Sequence, residues 1–126
     1  MESPNHTVLV VDDDPSIRFL CRVNLELDGW AVREAGTLDE ARAELLEGDV
    51  NVVLLDVHVG TQSGIGYLDE LRRDHPGVSV ALLTGSVGTP ILEGTAPDAV
   101  LPKPFTLEQL AETVSRLAPR TAQSAG

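Results

Sequence analysis

The sequence predicts an α/β fold: an open, doubly wound parallel sheet of five strands with helices on both faces. Three observations predict it. Short apolar runs recur along the chain, each followed by residues at helical spacing. The run Val50-Asn51-Val52-Val53-Leu54-Leu55 is apolar at five of six positions, as a central strand buried on both faces requires. Acidic residues stand where two of the runs stop, at Asp12 and at Asp56.

Residues 1–6 are polar and contain Pro4, which predicts a loose leader. Thr7 to Val11 reads as the first strand. Asp14 followed by Pro15 fits an N-cap with proline at the first helical position. Ile17, Leu20, Cys21 and Leu27 mark the inward face of that helix, and Gly29 ends it. Trp30 to Ala35 is the second strand. Thr37 and Glu40 have capping-box spacing, with Leu38, Ala41 and Leu45 on one helical face and Gly48 as the stop. The central strand ends at Asp56, and His58 to Ser63 reads as a loop. Gly64 to Asp74 is helical, with Ile65, Leu68 and Leu71 inward, and Pro76-Gly77 stops it. Val78 to Thr84 is the fourth strand. Ser86 to Pro97 is broken by Gly88, Pro90, Gly94 and Pro97, so the fourth crossover helix is expected to be short or irregular. Ala99 to Leu101 is a minimal fifth strand. Thr106 and Gln109 form another capping box, and Leu107, Leu110, Ala111, Val114 and Leu117 mark the last helical face. Residues 119–126 read as a mobile polar tail, leaving one domain over 7–118.

Composition narrows the function. Hydrophobic residues make up 42% of the 126 positions, which excludes a disordered chain. The formal charge of -11, from 9 basic and 20 acidic residues, argues against nucleic acid as a direct partner. The single Cys21 has no internal disulfide partner, which points to a reducing compartment. No apolar run approaches a membrane span and no signal peptide is visible, so a cytoplasmic protein is expected.

The chemistry collects at the strand ends. The first strand runs into Asp12 and Asp13, the third ends in Asp56, the fourth in Thr84, and the fifth leads to Lys103. In a parallel sheet these ends share one edge, where ligands bind. Two unit charges about 4 Å apart repel by about 4 kcal/mol at an effective dielectric of about 20, so clustered carboxylates keep a proton or bind a cation. Oxygen-only ligands suit Mg2+. Lys103 and Thr84 offer an ammonium and a hydroxyl to a phosphoryl group, and Asp56 is placed as a nucleophile. Taken alone, the acidic triplet would read as a solvated loop and a helix cap. Four matching strand ends weigh against that.

With these residues in order, the sequence resembles a bacterial response-regulator receiver domain. Val10-Val11-Asp12-Asp13-Asp14-Pro15, Leu54-Leu55-Asp56, Leu83-Thr84-Gly85 and Lys103-Pro104-Phe105 match that family's motifs at near-usual spacing, over roughly residues 7 to 118. Each motif is weak alone; the ordered set is specific. The resemblance implies a flavodoxin-like (βα)5 sheet with strand order 2-1-3-4-5. It implies that Asp56 is the phosphoacceptor, and that Asp13, Asp56 and the main-chain carbonyl of His58 bind Mg2+, with Asp12 reaching the metal through water. It implies that Thr84 is the switch hydroxyl, Lys103 the phosphoryl partner and Gly85 the small residue that leaves access. The Lys103-Pro104 bond is usually cis in such domains. The implied partners are a sensor histidine kinase or histidine phosphotransfer protein and an unidentified downstream protein. The implied role is signalling, in a two-component system or phosphorelay, rather than turnover as an enzyme.

Four departures from the family stand out. Val100 occupies a position that usually carries Tyr or Phe, so switching by an aromatic ring is not expected. Thr84 and Lys103 are 19 positions apart, a few fewer than usual. Gly60 replaces a usual Pro, which predicts a looser loop after Asp56. His58 and Ser86 stand at positions that border the phosphoryl group, and His58 is expected to affect water's access to it. Two rival readings remain. One is a pseudo-receiver that docks partners without phosphorylation. The other is an Asp-nucleophile phosphatase, which would need an acid two residues past Asp56, where His58 stands.

Overall fold

A computed structural model describes residues 6–85 and 96–118. The expected leader and tail, and the irregular fourth crossover helix, fall largely on residues 1–5, 119–126 and 86–95, outside the described residues. The elements run β1 (Thr7–Val11), α1 (Pro15–Leu27), β2 (Ala31–Ala35), α2 (Leu38–Leu46), β3 (Val52–Asp56), β4 (His58–Val59), β5 (Gln62–Ser63), α3 (Gly64–Asp74), β6 (Ser79–Thr84), β7 (Ala99–Pro102) and α4 (Leu107–Leu117). Five strands form one parallel sheet in the order β2-β1-β3-β6-β7. Because β4 and β5 pair only with each other, this is the expected 2-1-3-4-5 order of the main strands.

Alternation along the strands explains the layers, since successive side chains point to opposite faces. Leu9, Val11, Val53, Leu55, Val80 and Leu82 pack with Leu38, Ala41, Leu45, Leu68 and Leu71 of α2 and α3. Val8, Val10, Val52, Leu54, Ala81 and Leu83 pack on the other side with Cys21, Leu25, Leu110 and Val114 of α1 and α4. Every residue of β3 is buried, as its near-continuous apolar run requires. Each buried Leu or Val contributes about 1.5–3 kcal/mol.

The helix starts are set by their caps. Asp14, Thr37, Ser63 and Thr106 each accept from a main-chain N–H of the first turn, a contact worth about 1 kcal/mol. The Thr106–Gln109 box is complete. The Thr37–Glu40 box is half made: Thr37 Oγ1 accepts from Glu40 N, but Glu40 Oε1 accepts from Gly36 N at 2.7 Å instead of from Thr37.

Two expectations are corrected. On α1 the buried residues are Cys21 and Leu25, whereas Leu27 is 80% exposed. Two residues turn a helix by about 200°, so Leu25 and Leu27 cannot both face the sheet. The loop expected at 58–63 is a β4–β5 hairpin, with His58 opposite Ser63 and Val59 opposite Gln62. Gly60 supplies its turn with a φ of 65°, as the first residue of a tight two-residue hairpin loop demands.

Candidate functional site

Sheet register assembles the site. Val11 pairs with Leu55, Asp56 with Leu83, and Thr84 with Pro102. Asp12, Asp56, Thr84 and Lys103 therefore stand side by side across four neighbouring strand ends. Asp12 is fully buried, Asp56 is 9% exposed and Thr84 is 5% exposed. Asp13 is exposed and borders the same opening.

The charges are closely spaced. Lys103 Nζ donates to Asp12 Oδ2 at 2.8 Å and lies 3.5 Å from Asp56 Oδ2. Asp12 Oδ1 accepts from Asp14 N at 2.9 Å, so both Asp12 oxygens are engaged. The Lys103 main chain is fixed too, its N–H donating to the Thr84 carbonyl at 2.6 Å. The Lys103-Pro104 peptide is cis. Burial pushes the Asp56 carboxyl up, and the negative charge of Asp12 pushes it further; Lys103 and the His58 main-chain N–H oppose this. Burial works against the Lys103 ammonium, but its bond to Asp12 and the charges of Asp12 and Asp56 outweigh it and hold its pKa above the ordinary lysine value.

One carboxylate oxygen from each of Asp12, Asp13 and Asp56 lies within 4.8 Å of the others. This oxygen-only set fits a hard divalent cation such as Mg2+, which keeps several waters of its own. The geometry supports neither a soft metal nor a structural zinc, whose sites are built from Cys and His.

The model for the response regulator receiver domain matches residues 8–115. The chain belongs to the response-regulator receiver domains. This receiver is 36% identical over 118 residues to the probable transcriptional regulatory protein TcrX of Mycobacterium tuberculosis, covering 91% of this chain and 50% of that protein. It is 35% identical over 120 residues to the sensor kinase CckA of Brucella abortus, covering 91% of this chain and 13% of that one. The receiver thus spans about half or less of these curated relatives. Its fold superposes on the crystal structure of the receiver domain of NtrX from Brucella abortus with a TM-score of 0.76 and 26% identity, covering 87% of this chain and 96% of that one.

Of the residues singled out in the sequence, Asp12, Asp13, Asp56, Thr84 and Lys103 come together at this edge. The His58 side chain is exposed on β4. A Cβ at Gly85 would make only ordinary contact with Lys103 Cδ at 3.8 Å, so packing alone does not demand glycine there. Val100 lies on β7, 39% exposed and opposite Leu82. Two contacts at the site were not read from the sequence. A Cβ at Gly64 would lie 1.9 Å from the Asp56 carbonyl oxygen, so only glycine lets α3 start against the end of β3. Arg18 Nη1 donates to the Asp12 carbonyl at 2.6 Å. Neither contact has a local sequence signal, because each depends on how two elements cross.

Proposed function

We propose that this receiver takes a phosphoryl group onto Asp56 from a phosphohistidine carried by a sensor histidine kinase or histidine phosphotransfer protein. The observation that supports this best is the Lys103 ammonium set between Asp12 and Asp56 at a strand edge that also holds Asp13 and Thr84. An Asp56 carboxylate oxygen attacks phosphorus. The phosphorus–nitrogen bond breaks, and the imidazole leaves with the electron pair and gains a proton. Water later cleaves the acyl phosphate, returning the carboxylate and inorganic phosphate.

Asp12, Asp13 and Asp56, with the His58 carbonyl, would hold Mg2+, Asp12 through water. The bound ion would offset the carboxylate charge and bind phosphoryl oxygens. Lys103 does the remaining electrostatic work. Phosphorylation replaces one negative charge on Asp56 by about two, which draws the ammonium from Asp12 toward the phosphoryl oxygens. Thr84, at the adjoining strand end, supplies a hydroxyl donor. In this reading the domain is a signalling phosphoacceptor in the cytoplasm, not an enzyme with a turned-over substrate. Its output passes to another protein through the conformational bias of these contacts. A charge of -11 argues against nucleic acid as its direct partner.

Labelling with a small phosphoryl donor in Mg2+ tests the proposal. Wild type is expected to incorporate phosphate, and Asp56→Asn or chelation of the metal to abolish incorporation. Equal labelling of Asp56→Asn would overturn the assignment. Val100 favours a second reading, a docking module that works without phosphorylation, because it offers a partner no ring that could swing inward. Wild type that takes no label with metal present would support that second reading.

A further inference from the structure

The proposed site uses three acids and one lysine, but a second cation reaches it from behind. Arg18 projects from the first turns of α1 and is 20% exposed. Its Nη1 donates to the Asp12 carbonyl at 2.6 Å, and its Nε donates to Glu34 Oε1 on β2 at 3.1 Å. Glu34 is itself steadied by Arg22, whose Nη1 lies 3.2 Å from Oε2. Gly36 leaves room for the guanidinium, since a Cβ there would lie 2.9 Å from Arg18 Nη1. Arg18 touches no carboxylate of the acidic cluster among the described residues.

The gripped carbonyl matters because it shares a peptide with Asp13. The Asp12 carbonyl and the Asp13 N–H belong to one rigid plane. Asp13 is the exposed acid of the trio, whereas Asp12 is tied through both its oxygens. A planar guanidinium bonded to a carboxylate on one edge and a carbonyl on the other has little freedom to turn. The geometry points to Arg18 as a positioning residue: it fixes the Asp12–Asp13 peptide and so the direction from which the Asp13 carboxylate enters the cation site. Glu34 sets the angle of Arg18. This inference rests on the Mg2+ reading above.

Two explanations of Arg18 predict opposite signs. If Arg18 were only a positive charge near an anionic site, its removal would tighten Mg2+ binding. If it holds the ligand peptide, its removal weakens binding, by about tenfold for a partner of this kind. Mg2+ titration of the full chain, followed by calorimetry and by the amide resonance of Asp13, separates the two. Arg18→Ala is expected to weaken Mg2+ binding about tenfold, and to shift the Asp13 amide resonance even without metal. Arg18→Lys recovers part of the affinity, because an ammonium can reach the carbonyl but cannot fork to Glu34 as well. Arg73→Ala removes the same charge from α3, where Arg73 pairs with Asp74 and not with Glu34, and leaves affinity unchanged or slightly tighter. Glu34→Gln keeps the guanidinium but frees its angle; it gives a smaller loss and carries the test if Arg18→Ala does not fold. Equal or tighter Mg2+ binding by a folded Arg18→Ala overturns the positioning role alone. A wild type that binds no Mg2+ overturns the metal reading and this inference together.

Discussion

Replacing Lys103 by methionine gives the sharpest test of the electrostatic reading, because it nearly keeps the side-chain length and removes the charge. In the folded protein the ammonium sits 2.8 Å from a fully buried carboxylate and 3.5 Å from a second that is nearly buried. Breaking a buried ion pair by deleting one partner costs about 3–5 kcal/mol, since the remaining charge is left uncompensated. Lys103 keeps 21% of its side chain in solvent, which lowers the expected loss to about 2–3 kcal/mol at neutral pH. The loss must depend on pH. Without the ammonium, the Asp56 carboxyl, already pushed up by burial and by the Asp12 charge, loses the charge that opposes this and is pushed up further, so the variant regains stability as pH falls through its folded value. Wild type behaves oppositely at the alkaline end. The Lys103 pKa is raised in the folded state; its stabilisation is fully present below the unfolded lysine value of about 10.4 and is lost as pH rises through the folded one. Urea denaturation at several pH values, followed by fluorescence of the single Trp30, measures both trends. On the proposed metal reading, Mg2+ would compete with the ammonium at this carboxylate cluster, so the variant should also bind it more tightly and be stabilised more by it. A loss below about 1 kcal/mol that does not change with pH would refute the reasoning.

The same geometry sets three further outcomes. Asp56→Asn should raise the melting temperature without metal by a few degrees: the Asp56 pKa is raised in the fold by burial and by Asp12, so its stabilising contribution exists below the unfolded value of about 3.9 and is lost as pH rises through the folded value. A lower melting temperature contradicts this. Gly64→Ala places a methyl group 1.9 Å from the Asp56 carbonyl oxygen, and should cost more than about 3 kcal/mol in a urea titration, beyond the usual range for overpacking; a loss under about 1 kcal/mol would show that α3 shifts freely. The Cys21 thiol is pushed up to about 12 by burial, with the Asp12 charge adding to it, so a thiol-specific disulfide reagent at about pH 8 should react only once urea unfolds the chain. Stoichiometric reaction in the native protein would exclude the buried placement.

The legible and illegible parts of this molecule divide along a physical line. The sheet could be read because β1, β3 and β6 carry near-continuous apolar runs, and because a carboxylate or a hydroxyl closes each run at the same edge. Caps at Asp14 and Thr106 could be read because they are local, within four residues of the groups they satisfy. The phase of α1 could not. Leu20, Leu25 and Leu27 are equally apolar, and only packing against the sheet and α4 selects Leu25. The β4–β5 hairpin was invisible because strands of two residues have no period to detect. Within the site, Asp12, Asp13, Asp56, Thr84 and Lys103 were legible as strand-end residues. The contacts of Arg18 and Gly64 were not, since one acts on a carbonyl six residues away and the other by having no side chain.

The placement of Lys103 also bears on how a receiver without an aromatic at residue 100 would pass on a signal. Its side chain is shared by Asp12 and Asp56, while its main-chain N–H is bonded to the Thr84 carbonyl, where β6 and β7 pair. On the proposed chemistry, a doubling of negative charge at Asp56 pulls on both ends of this arrangement: the ammonium leaves Asp12, and the strand ends that hold Thr84 and Lys103 move with it. In a receiver with a ring on β7, that motion can be read as a ring moving between surface and interior. Val100 is branched at Cβ and restricted at its first torsion, it lies partly exposed, and it carries no ring. On the proposed chemistry, the output would then be carried by the backbone of β7 and the residues just before it. There Asp98 accepts from Val80 N and from Arg72 of α3, both at 2.8 Å. Arg72 also donates to the carbonyls of Val78 and Ala96. This network ties the start of β7 to α3 and β6, so on the proposed chemistry a movement of β7 at its Lys103 end would be resisted at its Asp98 end.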